Sequence, residues 1–191
     1  FLRLTAACYL SAFASLYSQW DGLFGHDGLE PAARALSAAG GGEGAAWYAR
    51  ERPTLLHSHA RLGLTVDLMA ELLMCLGMAV ALLATAFPES LFGTSPAFLV
   101  LQLCYLSVYV VGGTFLSFQW DILLLEVGAC ATLCAPWLPL SSFPPTRGYA
   151  FSKPSRAAAW MVRLCVFKLM FMSGAVKINA DGPTWKALSA L

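Results

Sequence analysis

From Ala97 to Leu140 the chain is apolar almost without interruption. As one α-helix this stretch would be roughly 66 Å long, about twice the hydrocarbon thickness of a bilayer. It must therefore turn back on itself. Two breaks offer themselves: the pair Gly112-Gly113, and "SFQWD" at 117–121. The second divides the run into halves of about 20 residues each, the length that spans a membrane. The turn is expected there, with the glycines as a close-packing or kink site and Trp120 at the membrane interface, where indoles prefer to sit.

Composition extends the same inference to the whole chain. Of 191 residues, 58% are hydrophobic and 12% charged, against about 45–50% and about 25% in a typical soluble domain. The excess is gathered into long runs, which points to a membrane protein. A net charge of +1 gives no reason to propose nucleic acid as a partner. The chain begins at Phe1 without a Met and stops at Leu191 in mid-pattern, so a piece of a longer protein is expected.

The expected fold is all-α, a polytopic transmembrane bundle of about five helices near 1–20, 62–87, 97–116, 121–140 and 157–178. For the first, Ala12-Phe13-Ala14 resembles a signal-peptide cleavage site. The apolar stretch continues past it to Leu16, which favours a retained helix. Residues 21–61 are polar and turn-rich, and "GGGEG" at 40–44 reads as a flexible insertion. The loop 141–156 holds Arg147, Lys153 and Arg156 and no acid, so it is expected to be cytosolic. The 21–61 loop balances Asp21, Asp27, Glu30, Glu43 and Glu51 against Arg34, Arg50, Arg52 and Arg61. Counting crossings backward puts that loop, and the C-terminal side, on the lumenal face.

That topology sets the depth of the embedded charges. Asp67 would lie roughly 7 Å in from the lumenal face and Glu71 about 13 Å, sharing a helical face at i, i+4. Asp121 is expected to cap the fourth helix, with Glu126 about 7 Å further in. These two acids are about 140° apart, so they form no same-face pair; Gln119 and Glu126 share a face only if the helix begins before Asp121. Lys168 can reach toward the same level on its long stem, while Arg163 snorkels to the other side. Asp67, Glu71, Asp121, Glu126 and Lys168 thus form a candidate polar cluster. Either they bind the bundle together through hydrogen bonds and one ion pair, or they line a lumen-facing cavity with a function.

Other chemistry is thin. All six cysteines, Cys8, Cys75, Cys104, Cys130, Cys134 and Cys165, fall within apolar runs, unlike those of a loop-stapling disulfide framework. Cys130 and Cys134, at i, i+4, read as packing residues ahead of a redox or metal pair. His57-Ser58-His59 lacks further ligands and reads as an interfacial loop ahead of a metal site. No cofactor or metal is expected, and no hydrolase elbow or zinc-protease motif occurs.

Three ordered stretches resemble the lipase maturation factor family of endoplasmic-reticulum membrane proteins. "AFASLYSQWDGLFGHDGLEPA" is similar to the family's Gln-x-x-Gly-Leu-x-Gly-x-x-Gly-x-x-Pro pattern through Gln19, Gly22, Leu23, Gly25, Gly28 and Pro31. "FLSFQWDILLLEVG" matches its second signature through Phe118, Trp120, Asp121, Leu124, Leu125, Glu126 and Gly128. "VRLCVFKLMFMSGAVKI" and "GPTWKALSAL" resemble a third, with Gly174, Lys177 and Trp185; Lys168 stands where Arg is usual. The details lean to the family's second paralogue type, and the Gly-rich 38–46 stretch is no family feature. The resemblance covers essentially the whole chain and implies the N-terminal multi-pass membrane part of a non-catalytic factor. Such a factor helps secreted client proteins, lipases above all, to fold and assemble, with the lipid bilayer as its other partner. A more distant similarity to the membrane part of vitamin-K-dependent gamma-carboxylases supplies the alternative of an intramembrane enzyme. In that reading Lys168 and the acids are candidate acid–base groups.

Overall fold

A computed structural model describes residues 1–37, 53–139 and 156–179. It divides into two units, Phe1–Ser152 and Lys153–Leu191. The Gly-rich stretch 38–46, most of the 141–156 loop and Trp185 lie outside the described residues. Among the described residues the fold is all-helical, with no strand.

In the first unit the α-helices are α1 (Leu2–Leu23), α2 (Ala32–Ser37), α3 (Val66–Ala86), α4 (Ser95–Val111) and α5 (Gln119–Cys134). The second unit contributes α6 (Arg156–Asn179). Within the first unit α1 lies along α3, α3 along α4, α4 along α5, and α5 returns to α1, closing a four-helix bundle. Each helix turns one row of side chains inward. On α1 the buried residues are Thr5, Ala6, Tyr9, Phe13, Leu16 and Trp20, and on α3 Ala70, Leu73, Met74, Gly77, Val80, Ala81 and Ala84. These are the three- and four-residue steps of a helix packed on one face.

The boundaries follow from local chemistry. Thr65 caps α3, its hydroxyl accepting from Leu68 N at 3.2 Å. Pro96 sits in the first turn of α4, where its missing N–H costs nothing. The long apolar run does turn back, but its helix ends earlier than 116. Val111 is the last residue of α4, Gly112 follows as the cap, and Gly113 takes φ 43°. A short 3-10 turn, Gly113–Leu116, leads to α5 at Gln119. The glycines are thus the start of the break and "SFQWD" its end. At the far end α5 stops at Cys134 instead of continuing to 140, because Pro136 holds Ala135 extended (φ −71°, ψ 148°). Ser95 then locks this end to α4: its N–H donates to Pro136 O at 2.8 Å and its hydroxyl to Thr132 O at 2.7 Å.

Two described helical segments are long and apolar enough to cross a membrane, Val66–Ala86 and Ala159–Asn179; Ser95–Val111 is apolar but shorter.

Candidate functional site

The chain leaving α1 folds back on itself through a compact turn. Gly25 N and Phe24 N both donate to Trp20 O, at 2.9 and 2.7 Å. The returning strand of the loop pairs Leu29 N with Gly22 O at 3.1 Å, Glu30 N with Leu23 O at 2.8 Å and Ala32 N with Phe24 O at 2.8 Å. A Cβ on Gly25 would stand 2.8 Å from Asp21 O, and one on Gly28 2.8 Å from the backbone of Leu23. Gly25 and Gly28 of the first motif therefore have a steric basis, whereas an added Cβ at Gly22 would meet open space. Pro31 opens α2, where its carbonyl accepts from Arg34 N at 2.9 Å. Glu30 reaches from this turn to the α4–α5 connection, its carboxylate accepting from Thr114 N at 3.2 Å. Farther on, Thr54 donates to Ser107 O at 2.9 Å, and Leu55 N donates to the Ser107 hydroxyl at 3.0 Å. These bonds fasten the connecting segments onto one end of the bundle.

Beneath that end lies a cavity of about 310 Å³. Its walls come from α1, from the α4–α5 connection and from the first turn of α5, and its lining includes Gln19, Leu23, Phe118, Trp120 and Asp121. Two separate sequence motifs therefore meet at one place. Phe118 and Trp120 stack face to face, with centroids 4.6 Å apart and planes 11° from parallel. They are 47% and 65% exposed, so they stand at the mouth.

Asp121 forms the polar floor, only 6% exposed. It was expected to cap α5. Instead Phe118 occupies the cap position, with no side-chain cap bond, and the helix begins at Gln119. Asp121 lies in the first turn and accepts the Tyr105 hydroxyl at 2.8 Å on Oδ1, while Oδ2 is buried without a partner. The helix dipole favours a negative group in this turn even without a cap bond.

Above this pair runs an aromatic core. The Tyr9 and Tyr105 rings meet edge-on at 5.8 Å, and Phe13 and Tyr105 at 5.5 Å, the offset geometry that ring quadrupoles favour. Tyr9 donates its hydroxyl to Gln102 Oε1 at 2.6 Å, with Leu124 O a second acceptor at 3.3 Å. Gly128 leaves room for that bond, since a Cβ there would run into Tyr9 Oη and Gln102 Oε1.

The sequence-predicted polar cluster is distributed as follows. Asp121 lines the cavity, whereas Asp67, Glu71 and Glu126 lie outside its lining. Asp67 is half-buried in the first turn of α3 with Oδ1 buried and unpartnered, and Glu71 stands half-buried one turn on. Glu126 is half-buried on α5 and, because the helix starts at Gln119, shares a face with that residue. Lys168 is exposed on α6 in the second unit, which also carries Gly174 and Lys177. His57 and His59 lie at a pair of 3-10 turns, with His59 Nδ1 2.7 Å from Leu56 O. No group of three or more potential metal ligands occurs among the described residues.

Sequence reasoning passed over Tyr9, Gln102 and Tyr105. They sit inside apolar runs, where a tyrosine reads as core. The available signal was the phenol itself, a polar handle that needs a partner when buried.

The chain matches the family model described as the lipase maturation factor transmembrane domain over residues 1–191. It is 44% identical over 195 residues to Lipase maturation factor 2 of Gallus gallus, covering 100% of this chain and 26% of that protein. To Lipase maturation factor 2 of Homo sapiens it is 42% identical over 194 residues, covering 100% and 27%. Lipase maturation factor 1 of Mus musculus is 28% identical over 185 residues, covering 94% and 30%. The chain spans about a quarter of the length of the first two relatives. No solved structure matches it.

Proposed function

This chain belongs to the lipase maturation factor family, and from that premise we propose that it is the N-terminal multi-pass part of an endoplasmic-reticulum membrane factor. The factor assists the folding and assembly of secreted proteins, with lipases as clients. In this reading five helices cross the membrane, α1, α3, α4, α5 and α6. The turn after α1 and the α4–α5 connection face the lumen, and the 141–156 loop faces the cytosol. The family match along all 191 residues carries the proposal. The apolar helices α3 and α6 support the membrane placement. The hydrogen-bonded end of the bundle supports a rigid lumenal face from which further parts of a longer chain could work.

A cell lacking the full-length protein is expected to retain a co-expressed secreted lipase as inactive, endoglycosidase-sensitive material, and re-expression is expected to restore release. Undiminished secretion of active lipase from such cells contradicts the reading. The intramembrane-enzyme alternative draws no support from the cavity, whose described lining holds one carboxylate and no basic side chain.

A further inference from the structure

The cavity beneath the α4–α5 connection is long as well as mostly apolar. On α1 its lining runs through Ala12, Ser15, Leu16, Gln19 and Leu23, one face of the helix over about 16 Å. Ser15, Gln19, Phe118 and Trp120 are exposed, so the cavity opens sideways, between α1 and the start of α5. The polar groups in its wall offer a guest little. Gln19 donates Nε2 to Ser15 O at 3.1 Å and to Ser15 Oγ at 2.9 Å. Tyr105 holds Asp121 Oδ1 at 2.8 Å, and Oδ2 is buried. Water that settles in a cavity needs about two to four polar partners, and apolar cavities stay dry or take an apolar guest. Left unfilled, a space of about 310 Å³ forfeits dispersion contacts along its whole lining.

We propose that this cavity binds a single hydrocarbon chain of a membrane lipid, lying along α1 from the Phe118–Trp120 mouth toward Ala12. Its direction, size and mouth commit it to that guest. A face along a spanning helix runs parallel to the bilayer's own chains. The volume, at the small end of ligand-sized cavities, suits one chain and not a whole diacyl lipid. The mouth is aromatic, as at the headgroup level where such a chain begins. Lipid tails are as apolar as leucine, so the chain gains nothing by escaping water. What holds it is the dispersion contact with a wall that would otherwise face a void. This rests on the membrane placement proposed above but not on any client.

Full-length protein in phosphatidylcholine nanodiscs would be irradiated with either of two probes and the labelled residues mapped by mass spectrometry. One probe is hexadecanol with a diazirine in its chain; the other is phosphatidylcholine with a diazirine in one acyl chain. Labelling is expected to concentrate on residues 12–23 and 115–120, above the level on Leu72 and Leu76, which are exposed on α3. Excess unlabelled hexadecanol should remove that surplus and leave Leu72 and Leu76 unchanged, a test that needs no substitution. Ser15→Phe puts a ring into the cavity from an exposed position and should lower labelling of the lining to the Leu72 level. Ser18→Phe, exposed on α1 but outside the lining, should leave it as it is. A surplus with the phospholipid probe supports the proposal and identifies a bilayer acyl chain as the source. A surplus with hexadecanol alone supports it with a free single-chain lipid as the source. Equal labelling of the lining and of Leu72 and Leu76 means ordinary lipid contact and overturns the proposal, as does Ser15→Phe labelled like the wild type. A lining left bare while Leu72 and Leu76 are labelled assigns the cavity to another part of the longer chain and overturns it too. Absence of label from Leu72 and Leu76 as well contradicts the membrane placement itself, and the proposal with it.

Discussion

Gly128 shows how one missing methyl group organises this core. The Tyr9–Gln102 hydrogen bond, 2.6 Å long, occupies the space a Cβ would take. Gly128→Ala is therefore expected to destabilise the protein by about 1–3 kcal/mol, the range for overpacked cores, read as a lowered melting temperature in detergent. The cause can be isolated. Tyr9→Phe removes the hydroxyl and makes room, so the two changes together should cost less than their sum, with a coupling of about 0.5 kcal/mol or more. Additive costs would mean that Gly128 matters for its backbone instead. Tyr105→Phe makes the complementary case. It leaves both Asp121 oxygens without a donor and should cost about 1–3 kcal/mol, measured in the same melting experiment. A change within error would show that the bond at 2.8 Å adds nothing. Gly128 and Asp121 were legible in the sequence as signature positions, but their roles were not. Asp121 at a helix start reads as a cap, and only the fold reveals that Tyr105, sixteen residues earlier on the neighbouring helix, takes its carboxylate.

At the scale of elements, a length argument located most of the architecture. The Ala97–Leu140 run is too long for one helix and does turn back, and the lean toward the family's second type agrees with the higher identity to those relatives. Helix ends were less legible where the breaker acts on its neighbour. Pro136 stops α5 through Ala135, and an apolar Ala-Pro-Trp-Leu-Pro sequence conceals this from a hydropathy reading. Gly112-Gly113 likewise reads as a kink until Gly113 is seen at φ 43°. At that φ a side chain is strained, and a Cβ would also run into the Glu30 carboxylate. Gly113→Ala is expected to cost about 1–3 kcal/mol. Adding Glu30→Ala should relieve the contact but not the backbone strain, leaving a measurable residue of the loss. Complete rescue by the second change would assign the whole effect to crowding. The Ser95 lock at the opposite end is independent, and Ser95→Ala should cost about 1 kcal/mol through its lost hydroxyl bond.

At the scale of the molecule, side and sequence are linked by the parity of crossings. With α1, α3, α4, α5 and α6 all spanning, the turn at 21–37 and the loop at 141–155 must face opposite compartments. The local charges agree with that assignment: the second loop carries Arg147 and Lys153 and no acid, the pattern retained on the cytosolic side. If α1 were instead cleaved or lay outside the bilayer, the polarity of everything after it would be set by α3 alone. The structure supplies a reason to expect α1 inside, since it forms one wall of the bundle and buries Tyr9, Phe13 and Trp20 against its neighbours. Its removal would open the Tyr9–Gln102 and Phe13–Tyr105 contacts together. An Asn-x-Thr acceptor placed after Asp27 in the full-length protein should therefore be glycosylated in cells, and one placed near Arg147 should not. The reverse pattern, or modification at both, would contradict the five-span arrangement. The reverse pattern would also place the Asp121 cavity on the cytosolic side, because that cavity lies at the same end of the bundle as the 21–37 turn.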